Sequence, residues 1–130
     1  MFRWPILVSE RDTDAFGHVN NAVYVRWLQE AGTAHWMALA SEVEQRTLIW
    51  FVARHEIDYL KPCFAGEDIV AETWCENPRG ARFDRRVRIR GANGSVRADA
   101  LTTWVLIDGR SQRPMRIPAG IIARFDTPRE

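Results

Sequence analysis

Lysine is almost missing from this chain: of 130 residues 18 are basic, yet Lys61 is the sole lysine and the remaining basic residues are all arginine. Biased composition is one reading of that skew, and selection for guanidinium forks that grip phosphates is the other. A dominant charge is missing as well. With 17 acidic residues the net charge is +1, so no global field recruits nucleic acid or an anionic membrane, and any partner is recognised locally. Cysteine is reduced to Cys63 and Cys75, outside any CxxC spacing, and both are expected to be small buried hydrophobes in a reducing compartment. His18, His35 and His55 form no HExxH or cysteine-linked set, so no metal site is expected. No long apolar run occurs. The opening "MFRWPILVSERD" holds too short an apolar segment for a secretory signal and shows no small-residue cleavage site. The expectation is a cytoplasmic protein without a membrane span, built as one domain over residues 1–130 whose tail, 109–130, is a loop and a short helix.

What is present falls into two periodicities. Residues 2–9 read as a short strand, with Pro5 marking an edge because it cannot donate to a ladder. A loop over 12–21 follows. From Asn21 to about Ala40 the apolar positions Val23, Trp27, Leu28, Ala31, Ala34, His35, Ala38 and Leu39 recur with helical spacing, leaving only a narrow polar stripe at Arg26, Gln29, Glu30 and Thr33. Gly32 sits inside this helix and would let another backbone approach. The second half alternates with period two: "ARHEIDYL" ends at Lys61-Pro62, "IVAETWCE" is punctuated by "NPRG", "RFDRRVRIR" leads to Asn93-Gly94, and "VRADALTTWVLI" closes the series. A brief helix after Pro118 and a frayed end complete the tail. One long buried helix wrapped by a curved antiparallel sheet of about five strands is an α+β architecture. The last strand is apolar on both parities, so a partner subunit is expected to cover its second face.

One stretch carries more polar groups than a helix start requires. In "RDTDAFGHVNNAVYVRWLQEAG", residues 11–32, two aspartates, a glycine, a histidine and two asparagines precede the helix. A helix uses one or two capping side chains, so the rest either shape a turn or carry chemistry. Asp12 and Asp14 could form Asx turns, Gly17 a turn with positive φ, and Asn20 the N-cap. Equally, a carboxylate beside a helix N-terminus pairs a base with free amides and a dipole end that suit an oxyanion.

This stretch, with Asp12, Asp14, Gly17, His18, Asn20, Asn21 and Tyr24, resembles the hotdog-fold acyl-CoA thioesterases of the 4-hydroxybenzoyl-CoA thioesterase type. "HEIDYLKPCFAGEDI", residues 55–69, supports the resemblance. It implies a hotdog fold and hydrolysis of a thioester to a carboxylic acid and free coenzyme A (CoA). Asp14 is implied as nucleophile or general base, the amide near Asn21 as oxyanion donor, and His18 as a third catalytic candidate. Gly17, Asn20, Tyr24 and Trp27 are the implied substrate-binding positions, while Asp12 is taken to hold the loop. No cofactor is implied, since CoA is part of the substrate. The implied partners are an acyl-CoA or acyl carrier protein thioester and further copies of the chain, as homodimer or homotetramer. Two other readings stand beside it: a hotdog hydratase or dehydratase using Asp14 and His18 as an acid–base pair, and a noncatalytic acyl-thioester binding module. For phosphates the arginines Arg82, Arg85, Arg86, Arg88 and Arg90 share one strand. Most are expected on a solvated face, whereas the parity of Arg85 sends it to a sheet end or an interface.

Overall fold

Side-chain alternation sets which face of each strand meets the core, and the sheet that results explains where the helix must lie. The computed structural model describes residues 1–125. Five strands, β1 (Phe2–Leu7), β2 (Leu48–Tyr59), β3 (Asp68–Arg79), β4 (Arg82–Arg90) and β5 (Val96–Asp108), form an antiparallel sheet in the order β1-β3-β4-β5-β2. A two-residue strand β6 (Arg113–Pro114) pairs with β5. Cross-strand registers put Thr73, Val87 and Ala100 in one row of the inner face and Ala71, Ile89 and Ala98 in the next. Alanine at these positions leaves room for helix α1 (Asn21–Leu39), whose Trp27, Leu28 and Ala31 are 2% exposed or less. Each large apolar side chain buried this fully contributes about 1.5–3 kcal/mol.

The buried arc of α1 is Val23, Tyr24, Trp27, Leu28, Ala31, Gly32, His35 and Trp36. Ala34 and Ala38, expected in that arc, are half-buried and exposed, because alanine carries too little surface to orient a helix that has Trp27 and Trp36 to bury. Gly32 does admit a close neighbour, but the neighbour is a side chain rather than a backbone: a Cβ there would stand 2.6 Å from Cζ2 of Trp104. A second apolar cluster joins Trp36, Phe83 and Leu106 to Ile117, Ile121 and Phe125, the last two from helix α3 (Ala119–Phe125). This is the brief helix expected after Pro118; the frayed end expected beyond it lies outside the described residues.

Other boundaries moved. β2 begins at Leu48 rather than Ala53, because a bulge between Val52 and Arg54 inserts the exposed Ala53 and breaks the alternation. Before it, helix α2 (Glu42–Thr47) starts on a capping box, with the Ser41 hydroxyl accepting from the Glu44 amide and the Glu44 carboxylate accepting from the Ser41 amide. "NPRG" does not end β3, which runs to Arg79 with Asn77 absorbing the irregularity at φ 56°. Cys63 is fully buried and Cys75 half-buried. On the outer face, Ile107 and Val105 of β5 lie opposite the exposed Ile49 and Phe51 of β2, an apolar strip at the sheet's edge. Among the described residues no helix is long and apolar enough to cross a membrane.

Candidate active site

The polar loop before α1 folds through its own side chains. The amide of Asp14 donates to the His18 carbonyl at 2.7 Å, and Oδ1 of Asp14 accepts from the amides of Phe16 (2.8 Å) and His18 (3.1 Å). Gly17 supplies φ 78° at the turn, a conformation that costs glycine nothing. Oδ2 of Asp14 carries no hydrogen bond among the described residues. Asp12 anchors the loop from outside: Arg26 grips its carboxylate with two N–H groups, at 3.2 and 2.6 Å, and that hydrogen bond holds the Asp12 pKa below the ordinary carboxylate value. The expected structural role of Asp12 is therefore visible in the fold.

Asn20 occupies the N-cap position, but its side chain makes no capping bond, contrary to expectation. Its backbone is used instead, its amide donating to Asp12 and its carbonyl accepting from Val23. The first amides of α1, at Asn21 and Ala22, have no acceptor within the helix, and the Asn20 side chain leaves them uncapped. The positive end of the α1 dipole thus opens beside Asp14.

These groups line an open cavity of about 270 Å³ formed by Asp14, His18, Val19, Asn21 and Tyr24 on one side and Tyr59, Leu60, Lys61 and Pro62 on the other. The cavity collects Asp14, His18, Asn21 and Tyr24 from the candidate residues and leaves out three. Gly17 shapes the turn, Asn20 is exposed at the cap, and Trp27 is 1% exposed in the core, where its ring packs edge-on to Tyr24 at 5.1 Å. Tyr24 is itself 3% exposed, and burial together with the neighbouring Cys63 thiol raises its pKa, so the phenol stays protonated. Its ring meets Tyr59 edge-on at 5.2 Å, and the Tyr59 hydroxyl donates to the Asn21 carbonyl at 3.2 Å.

The far wall, from Tyr59 to Pro62, was not among the candidates. It is held by Arg97, 8% exposed, whose guanidinium makes a two-pronged bond to Glu67 at 2.9 and 2.8 Å and donates to the Pro62 carbonyl at 2.8 Å. The Arg97 backbone carbonyl accepts from the amides of Leu60 and Lys61. The His18 ring rests edge-on against Phe64 at 5.1 Å, and the Val19 amide donates to Cys63, so the two loops close on each other. The "HEIDYLKPCFAGEDI" segment carried the signal for this wall, because Tyr59, Lys61 and Glu67 all lie within it.

A carboxylate, uncapped helix amides and a cavity lined by the rings of Tyr24 and Tyr59 are the parts that thioester chemistry uses. The match to the thioesterase-like superfamily runs from residue 8 to residue 125. The chain belongs to that superfamily. Among the relatives of this thioesterase-like chain is the acyl-CoA thioester hydrolase YbgC of Escherichia coli, 28% identical over 130 residues, with 96% of each chain covered. A Thermus thermophilus thioesterase solved with CoA and zinc superposes with a TM-score of 0.82 at 27% identity, covering 95% of this chain and 90% of that one. The 1,4-dihydroxy-2-naphthoyl-CoA thioesterase of Synechocystis, at 19% identity, shares the fold with a TM-score of 0.82 over 98% of both chains. The architecture is the hotdog fold. Among the described residues no three His, Cys, Asp or Glu side chains cluster closely enough to hold a metal ion.

One arginine of β4 departs from expectation in this thioesterase fold. Arg85 goes neither to a sheet end nor to an interface but into the chain's own interior: it is 2% exposed under the sheet, where Nη1 donates to Thr73 Oγ1 at 2.9 Å and meets His35 Nδ1 at 3.0 Å. The rings of Trp104 and Phe125 face its guanidinium at 5.1 and 5.6 Å. Burial lowers its pKa, and burial plus the Arg85 charge push His35 down to about 3, so His35 is neutral and accepts from Arg85. Arg82, Arg86, Arg88 and Arg90 lie on the solvated face as expected, where Arg86 and Arg90 bond Glu76 and Glu72 at 2.8 and 2.7 Å. His55 is a half-buried histidine whose Nδ1 lies 2.7 Å from Thr102 Oγ1, while its buried Nε2 has no hydrogen-bond partner among the described residues; burial lowers its pKa.

Proposed function

We propose that this chain hydrolyses acyl-CoA, with Asp14 as the catalytic carboxylate. The observation that carries the reading is the free Oδ2 of Asp14 in a cavity onto which the uncapped start of α1 also opens. The acyl group enters toward Tyr24 and the thioester carbonyl lies between Asp14 and the amides of Asn21 and Ala22. Asp14 takes a proton from water as the water oxygen bonds to the carbonyl carbon, and the amides hold the oxyanion that forms. Collapse breaks the C–S bond, and the departing thiolate recovers the proton from Asp14. In a nucleophilic variant of the same geometry Oδ2 attacks first and water then opens the anhydride. General-base action of this kind contributes about 10²- to 10⁴-fold. No cofactor takes part in these steps, and turnover is expected to survive a chelator.

The working unit is a homo-oligomer. The outer edge of β2 has no partner strand among the described residues and is flanked by Ile49 and Phe51, 45% and 59% exposed. Phe16, in the loop that carries Asp14, and Leu60, on the cavity wall, are exposed apolar side chains as well, at 84% and 56%. A second copy would bury both.

The test is thiol release from a panel of acyl-CoAs by wild type and Asp14→Asn. Asparagine keeps the Oδ1 acceptor of the turn, so the fold should persist while turnover falls about 10²-fold or more. An undiminished rate would remove Asp14 from the mechanism. Absence of release by wild type would turn attention to enoyl-CoA hydration, for which Asp14 and His18 line one cavity.

A further inference from the structure

The chain's one lysine lies on the wall of the candidate active site. Lys61 is the only lysine or arginine lining the Asp14 cavity, it is exposed, and its ammonium pairs with no carboxylate among the described residues. No arginine lines this cavity, and several that share the sheet are engaged elsewhere: Arg86 and Arg90 by Glu76 and Glu72, Arg97 by Glu67, and Arg85 beneath the sheet. The backbone of Lys61 is fixed, its amide donating to the Arg97 carbonyl at 3.1 Å while Arg97 also holds the next carbonyl at 2.8 Å. A flexible stem with a strongly hydrated ammonium at its tip therefore projects from a rigid base.

The lining of the cavity is unevenly buried. Tyr24 is 3% exposed and suits an apolar acyl group, whereas Asp14 and Lys61 on the same lining are exposed. The part of a thioester substrate that stays in water is its carrier, and the negative charges of that carrier are phosphates. We infer that Lys61 is a phosphate contact for the carrier end of the substrate and so sets the preference for phosphorylated over unphosphorylated thioesters. The inference rests on the thioester reading of the same cavity. A phosphate as ligand comes from two sources, the several phosphates of CoA or the single phosphate of a phosphopantetheine arm, and the two separate by experiment.

The experiment is calorimetric titration of wild type, Lys61→Met and Lys61→Arg with CoA, 4′-phosphopantetheine and pantetheine. Wild type should prefer CoA to pantetheine. Lys61→Met should weaken CoA about tenfold, the size of one charge-assisted contact, and collapse that preference. Lys61→Arg should restore most of it. A parallel loss with 4′-phosphopantetheine assigns the contact to the pantetheine phosphate, and a loss confined to CoA assigns it to the nucleotide phosphates; either supports the inference. It is overturned if wild type binds pantetheine as tightly as CoA, if Lys61→Met leaves CoA affinity within about twofold, or if pantetheine weakens as much as CoA. Binding of CoA needs no turnover. A chain that binds CoA through Lys61 yet releases no thiol would sink the hydrolase reading alone, and hydrolysis with no Lys61 effect would sink this inference alone.

Discussion

Removing Glu67 should loosen the wall of the cavity before it touches any catalytic group. Its carboxylate accepts both prongs of Arg97, at 2.9 and 2.8 Å, and the Phe64 amide at 2.7 Å. Glu67→Ala deletes all three and leaves a guanidinium 8% exposed without its counter-charge. Breaking a buried pair from one side costs about 3–5 kcal/mol. Because Arg97 keeps the Pro62 carbonyl and the Ser95 hydroxyl, the lower end, about 3 kcal/mol, is expected. For a chain of this size that is a fall in Tm of about 10 °C, read by calorimetry or urea denaturation. Glu67→Gln keeps the shape and one acceptor and should cost about half as much. Adding Arg97→Met to Glu67→Gln should recover part of the loss, because the stranded charge is gone. The effect also has a pH signature. Arg97 holds the Glu67 pKa below its ordinary value, so the stabilisation is complete above the unfolded pKa and disappears as pH falls through the lower folded one. A loss below about 1 kcal/mol for Glu67→Ala would refute the clamp, since that is the range of an exposed ion pair.

Gly32→Ala should destabilise by about 1–2 kcal/mol in denaturant, overpacking against Trp104 outweighing the helix-propensity gain near 1 kcal/mol; a stabilised variant would show that Trp104 yields. His35 resists protonation down to about pH 3 when folded, whereas the unfolded chain takes the proton near 6.5. Folding stability should therefore be full above pH 6.5 and decline below it by about 1.4 kcal/mol per pH unit for each such histidine. His55, also lowered by burial, adds to the same slope, so His35→Gln should flatten it without removing it, and an unaltered slope would exclude His35. Light scattering should return a mass of about 30 kDa or a multiple, twice the chain's 15.0 kDa, and a monomer would end the edge-pairing argument.

The loop before α1 was legible because its chemistry is local. Asp14 closes its own turn, Gly17 takes the positive φ, and the alternating strands after it fix the sheet. The Tyr59–Pro62 wall was not, since its position depends on a bulge at Ala53 and on Arg97, which lies much further along the chain. Trp27 misled because an aromatic residue near a catalytic loop fits a pocket and a core equally well. For Arg85 the parity of β4 correctly pointed inward, and only the habit of keeping charge out of a core sent it to a sheet end or an interface. Thr73 and His35 serve Nη1 and two aromatic rings face the guanidinium, while the buried Nε has no hydrogen-bond partner among the described residues. The Ser41 capping box was written in the sequence as S-x-x-E but preceded no long apolar run that would have drawn notice.

The contact between Gly32 and Trp104 also constrains how this sequence can change. A methyl group at position 32 collides with the indole while Trp104 is present, yet the same methyl would fill the space left by Trp104→Leu. The sign of one substitution therefore depends on whether the other has already occurred. Descendants reaching a side chain at position 32 must shrink position 104 first, and lineages that keep the tryptophan keep the glycine with it. Across relatives the two positions should covary as a pair, with tryptophan and an alanine or larger residue rarely found together.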